Sequence, residues 1–179
     1  DPAACNYDAS ALVDDGSCVM PDPVAGCPSC DFEVNAVALN LGASQVGTPT
    51  GFAAYGDLVS VNVSLDWTNV AGDGSWAGDL LMEIAAPNGA CAGIGGYDVT
   101  SSCTAAGAWP GGWNVSITGN YTAAVNLEGL GLSGDGEWAI TLTNGWASSG
   151  GVSYDATVTV VGLCESNGGS EEVLGCTEV

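Results

Sequence analysis

Residues 58–67 read L-V-S-V-N-V-S-L-D-W, and no other stretch constrains the fold as strongly. Val59, Val61, Val63 and Leu65 alternate with Ser60, Asn62, Ser64 and Asp66. A two-residue period places the apolar set on one face of a strand and the polar set on the other. Such a strand needs partners that bury the same kind of face. Further strands are expected over 32–39 (FEVNAVAL), 113–118 (WNVSIT), 121–127 (YTAAVNL), 137–144 (EWAITLTN) and 153–163 (SYDATVTVVGL). The run 79–87 (DLLMEIAAP) is continuously apolar, and Asn88-Gly89 turns the chain after it. Long loops are expected over 42–56, 68–78, 88–112 and 145–152. No stretch sustains a 3.6-residue period, so helix should be minimal. Seven or eight antiparallel strands predict an all-β fold, a jelly-roll or β-sandwich.

Charge narrows the function. The 179 residues include 21 Asp and Glu but no Lys, Arg or His, a formal charge of −21. A basic nucleic-acid surface is therefore excluded. So are a Schiff-base lysine, a Ser–His or Cys–His pair, and histidine ligands for zinc. Side chains of this sequence cannot form ion pairs with one another. Acid–base catalysis would need a carboxylate dyad; Asp66, Asp79, Glu83, Glu128 and Glu137 qualify by residue type alone. The chain is accordingly expected not to be an enzyme. At 46% hydrophobic it does not resemble an acidic disordered tail. No apolar run reaches the ~20 residues of a membrane span, and Asp1 reads as a processed or trimmed start.

Three parts are expected: a Cys- and Asp-rich module over 1–31, a sandwich over 32–164, and a linker and tail over 165–179. The eight cysteines are Cys5, Cys18, Cys27, Cys30, Cys91, Cys103, Cys164 and Cys176. An even set in this composition favours disulfides and an extracellular or cell-surface location. Cys27-Pro-Ser-Cys30 has the spacing of a redox motif but lacks the flanking βαβ unit, and paired C-x-x-C zinc spacing is missing. Cys91 and Cys103 flank one long loop and are the expected mutual pair. Cys5 can pair with Cys18 inside the module. Cys164 closes the last strand near where Cys27 or Cys30 opens the first, so a clasp is expected there. The other of those two and Cys176 remain.

Two resemblances add to this reading. D-P-A-A-C-N-Y-D-A-S-A-L-V-D-D-G-S-C (1–18), followed by G-C-P-S-C, resembles the G-C-T-D-P-x-A-C-N-Y-D-x-x-A-x-x-D-D-G-S-C repeat of large secreted bacterial surface proteins. The leading G-C-T is absent before Asp1, yet Gly175-Cys176-Thr177 stands near the other end. Residues ~57–163 resemble the P-domain found beside secreted subtilisin-like proteases. V-S-L-D-W-T-N-V-A-G-D-G-S-W-A-G-D-L-L-M-E-I-A-A-P-N-G and G-E-W-A-I-T-L-T-N-G-W carry the likeness. Thr68-Asn69 replaces a common Asp, and Tyr154 stands where a late Trp usually lies. That resemblance implies a jelly-roll sandwich and says little of function, because such modules are grafted onto many proteins.

Asn6, Asp8, Asp14 and Asp15 gather oxygen ligands beside Gly16, as calcium requires; the alternative is an ordinary turn with Asx bonds. In the P-domain frame Asp79, after Gly78, is either a further calcium ligand or a strand-starting residue that satisfies backbone amides. Trp67, Trp113 and Trp138 read as core. Trp76, Trp109 and Trp146 lie in Gly-rich loops, as glycan platforms, protein contacts or lids over the core, and the lid is expected for at least one. Asn62, Asn114 and Asn120 open N-x-S/T sequons for glycosylation.

The expected function is a structural subunit of an extracellular bacterial filament or surface layer. Copies would link head to tail if Gly175-Cys176-Thr177 completes a neighbour's N-terminal module. The alternatives are a calcium-dependent adhesion or glycan-binding module of a large secreted protein, and an accessory domain of a secreted hydrolase. Partners are then copies of the chain, and glycans in the second case, with calcium as the one candidate cofactor.

Overall fold

Burial along the strands follows the two-residue period, and two sheets close over the apolar faces. The computed structural model describes residues 32–54, 56–70, 74–147 and 152–165. Its strands are β1 (Phe32–Gly42), β2 (Thr50–Ala54), β3 (Asp57–Asn69), β4 (Leu80–Ala85), β5 (Cys91–Gly95), β6 (Thr104–Gly107), β7 (Gly119–Asn126), β8 (Gly136–Asn144) and β9 (Ser153–Glu165). One sheet has the order β1-β9-β3-β7 and the other β2-β8-β4-β5-β6. Chain order jumps between sheets at every step except the β4–β5 hairpin and the added edge strand β6. With β6 set aside, this is the eight-strand jelly-roll order. Helix among the described residues is confined to two 3-10 turns, Ala77–Asp79 and Gly111–Trp113.

In β3, Val61, Val63, Leu65 and Trp67 point into the core and Asn62 and Asp66 point out. Val59 departs from the expected phase. A register shift between Leu58 and Ser60 makes a bulge, which turns Leu58 inward in its place. The continuous run at 79–87 becomes β4, the middle strand of its sheet between β8 and β5. Leu80, Leu81, Met82 and Ile84 are all buried there, because the 96–103 loop folds back over the outer face. On that face Ser101 donates its hydroxyl to Glu83, and a Cβ on the neighbouring Gly93 would lie 2.5 Å from Cβ of Ser101. The fold-back sets β6 parallel to β5, and the Cys91–Cys103 disulfide, Cα–Cα 5.0 Å, fixes it. This expected pair is formed.

Two strand expectations are corrected. Residues 113–118 form no strand: Pro110-Gly111-Gly112 favours a turn, and Trp113 N–H donates to Pro110 O while Asn114 N–H donates to Gly111 O. The expected loops 42–56 and 88–112 contain β2, β5 and β6. These strands are four or five residues long and rich in Gly and Ala, so they lack a readable apolar alternation.

The register gives the body two distinct ends. Phe32 lies opposite Gly162 and Asp57 opposite Glu165, so β1 begins beside the end of β9. Chain segments 1–31 and 166–179 therefore join the sandwich at the same pole. β3 runs from that pole to Asn69, opposite Tyr154, roughly 40 Å away at ~3.3 Å per residue.

Candidate functional site

Besides the β1 to β2 connection, four meet at the far pole: β3 to β4, β5 to β6, β6 to β7, and β8 to β9. They are tied to one another through backbone groups. Gly145 N–H donates to Asp79 O at 2.7 Å, and Gly145 O accepts from Asp98 N–H at 2.8 Å and Val99 N–H at 2.9 Å. Gly96 N–H donates to Leu80 O at 2.9 Å and Ala77 N–H to Val115 O at 3.1 Å. A Cβ at position 145 would stand 2.5 Å from Asp79 O, so only glycine permits this approach. The fully buried Asn144 anchors the β8 exit: its Nδ2 donates to Leu41 O and its Oδ1 accepts from Trp146 N–H.

These connections enclose a cleft of about 440 Å³, walled by Trp76, Tyr97, Trp109 and Trp146, with Asp79 and Asn114 among its polar groups. Tyr97 and Trp146 stack with centroids 5.5 Å apart and planes at 20°. Trp109 stacks on Trp113 at 4.4 Å and 8°. Tyr97 is 70% exposed and Trp76 47%, so the aromatic surface is open to solvent. Of the three loop tryptophans, Trp109 is the one folded back against the core, and it also lines the cleft. Its Nε1 donates to Leu80 O at 2.6 Å across Gly95, where φ is +74° and a Cβ would fall 1.9 Å from that nitrogen.

Asp79 is buried at the rim of this cleft, and its Oδ2 accepts from Trp76 N–H at 2.9 Å. Of its two expected roles, the strand-starting one is visible. Its carboxyl sits above the ordinary carboxylate range: burial raises it, the Trp76 amide pulls it back, and the nearby Asp98 charge pushes it up. Below lies Tyr154, whose phenol is pushed well above its usual value by burial and then by Asp79. Tyr154 OH, Trp67 Nε1 and Ser75 Oγ are buried without a protein partner, the situation in which ordered water is expected.

The other expected sites fall elsewhere. Asn62 and Asn120 sit on the outer face of the β3–β7 pair, where Asn120 Nδ2 donates to Ser64 Oγ and Asp66 Oδ1, both at 3.2 Å. Asn114 is exposed at the cleft. Among the type-only carboxylates, Asp66 is held by Asn120 and Glu83 by Ser101, while Glu128 and Glu137 are exposed. Among the described residues no three His, Cys, Asp or Glu side chains group to hold a metal ion, and no helix is long and apolar enough to cross a membrane. Asn6, Asp8, Asp14, Asp15, Cys5, Cys18, Cys27, Cys30, Gly175, Cys176 and Thr177 lie outside the described residues, as does the side chain of Cys164. Tyr97 was the site residue without a sequence signal; only its place after the unexpected β5 brings it to Trp146. No protein-family model matches the chain, and no curated protein is significantly similar to it.

Proposed function

We propose that the chain is a non-catalytic structural subunit of an extracellular filament or surface layer, tethered at one pole and displaying its cleft at the other. The observation that supports this reading is the common exit of both Cys-bearing segments beside β1 and β9. Copies joined through those segments would form a spine, and each sandwich would stand out from it. A chain without Lys, Arg or His needs contacts other than ion pairs between its copies. Disulfides, apolar contacts or calcium bound by the N-terminal module supply them. Native material should show fibres or sheets by negative-stain microscopy and a ladder on non-reducing gels that collapses with reductant. Isolated particles and a single monomer band would remove the covalent-assembly reading. EDTA should lower the melting temperature, and an unchanged melt would remove calcium.

The cleft favours a second reading, an adhesion module that binds glycans or another exposed ligand through its aromatic walls. A glycan array with and without chelator tests the glycan form of it.

A further inference from the structure

The open aromatic cleft and the charge of the chain together specify a ligand chemistry. Solvent-exposed Trp and Tyr rings on several walls are unfavourable unless something covers them. A lidded core is not what they form, because Trp76 and Tyr97 remain 47% and 70% exposed. The volume of about 440 Å³ suits an organic group rather than a bare metal ion. The wall also carries Asp79, a carboxylate 4% exposed, with Asp98 near enough to repel it. No side chain of this sequence can neutralise either, since Lys, Arg and His are absent.

We infer that the cleft binds an organic cation, an alkylammonium or guanidinium group held against the aromatic wall of Trp76 and the stacked Tyr97–Trp146 pair, and paired with Asp79. The negative quadrupole of each ring face attracts such a cation, tryptophan most strongly, and the attraction grows when the cation is desolvated. The field of a −21 chain steers the same ligand inward. A neutral sugar fits less well. One Asp79 oxygen is already taken by Trp76 N–H, which leaves few convergent polar groups to match a ring of hydroxyls. The occupant cannot be a side chain of another copy of these residues, which contain no basic side chain. It comes from outside these residues, either a small quaternary ammonium compound or a Lys or Arg of a polypeptide segment.

The test uses the full chain and follows tryptophan fluorescence or calorimetric heat. The probes are tetramethylammonium, choline, short Lys- and Arg-containing peptides, and 3,3-dimethyl-1-butanol, the uncharged shape-mimic of choline. Saturable binding of a cation is expected, with the uncharged mimic about tenfold weaker. Tyr97→Ala, at an exposed position, and Asp79→Asn should each weaken the cation about fivefold or more, with circular dichroism confirming the fold. Tighter binding of the ammonium salts points to a small-molecule source, and tighter binding of peptides to a protein. The inference is overturned if every cation fails to bind, if the uncharged mimic binds equally well, or if both variants leave affinity unchanged. It is also overturned if a neutral oligosaccharide occupies the cleft and no cation displaces it.

Discussion

The two poles of the sandwich each gather aromatic rings, and they treat them in opposite ways. At the pole where β1 begins and β9 ends, Phe32 meets Phe52 at 4.4 Å, Phe52 meets Trp138 at 6.4 Å, and the set faces the core between the sheets. Strand residues supply all three, from β1, β2 and β8. At the far pole Trp67, Trp109 and Tyr154 are buried, but Trp76, Tyr97 and Trp146, from the connections, leave an open space in front of them. The same chain thus seals one aromatic group and leaves the other accessible. An exposed cluster held by a cross-bonded set of loops reads as a surface kept for contact, not as a failure of packing.

Substitutions sharpen that contrast. The largest effect is expected for Trp138→Ala, which should cost about 3–5 kcal/mol in chemical denaturation. A loss below ~1 kcal/mol would mean the Phe32–Phe52–Trp138 pole is not sealed. Next, replacing Cys91 and Cys103 together with Ser should cost about 2–4 kcal/mol, since the bond closes the fold-back over β4. A smaller effect is expected for Asp79→Asn and is read through pH. The folded carboxyl titrates above its unfolded value, so the folded state holds the proton more tightly. Stability from this group is complete below the unfolded pKa and is lost as pH rises through the raised folded one. Wild-type minus variant stability should therefore fall across that window and stay level above it; a rise would reverse the assigned cause. Smallest is Tyr97→Ala, within about 0.5 kcal/mol of wild type, as befits a ring that is 70% exposed. A large loss there would make the open cluster structural after all.

The sandwich was legible because alternation at 58–67, 137–144 and 153–163 is a local property of neighbouring residues. What was illegible is non-local. The strand C-A-G-I-G carries glycine at 93 for the sake of Ser101, which crosses it after the turn, and that glycine erases the strand signal. Val59 alternates correctly on paper, yet the bulge beside it depends on the partner strand β9. The cleft suffered most. Trp76 and Trp146 stood out as loop tryptophans, but they are seventy positions apart, and only the order β2-β8-β4-β5 brings their loops to one pole. Which of the loop tryptophans folds back was not readable, because nothing around Trp109 indicates that Gly95 makes room for its indole to reach Leu80.

The side-by-side placement of Phe32 and Gly162 has a mechanical meaning. Tension applied through the two chain segments at that pole would pull β1 and β9 apart from their shared end. The hydrogen bonds of the ladder would then break in sequence, like a zipper, and would not share the load as they do in shear. A sandwich loaded this way is a weak link. If the chain serves in a fibre, the force must bypass the sheets, and the clasp expected between Cys164 and Cys27 or Cys30 would, if formed, be the place where it crosses.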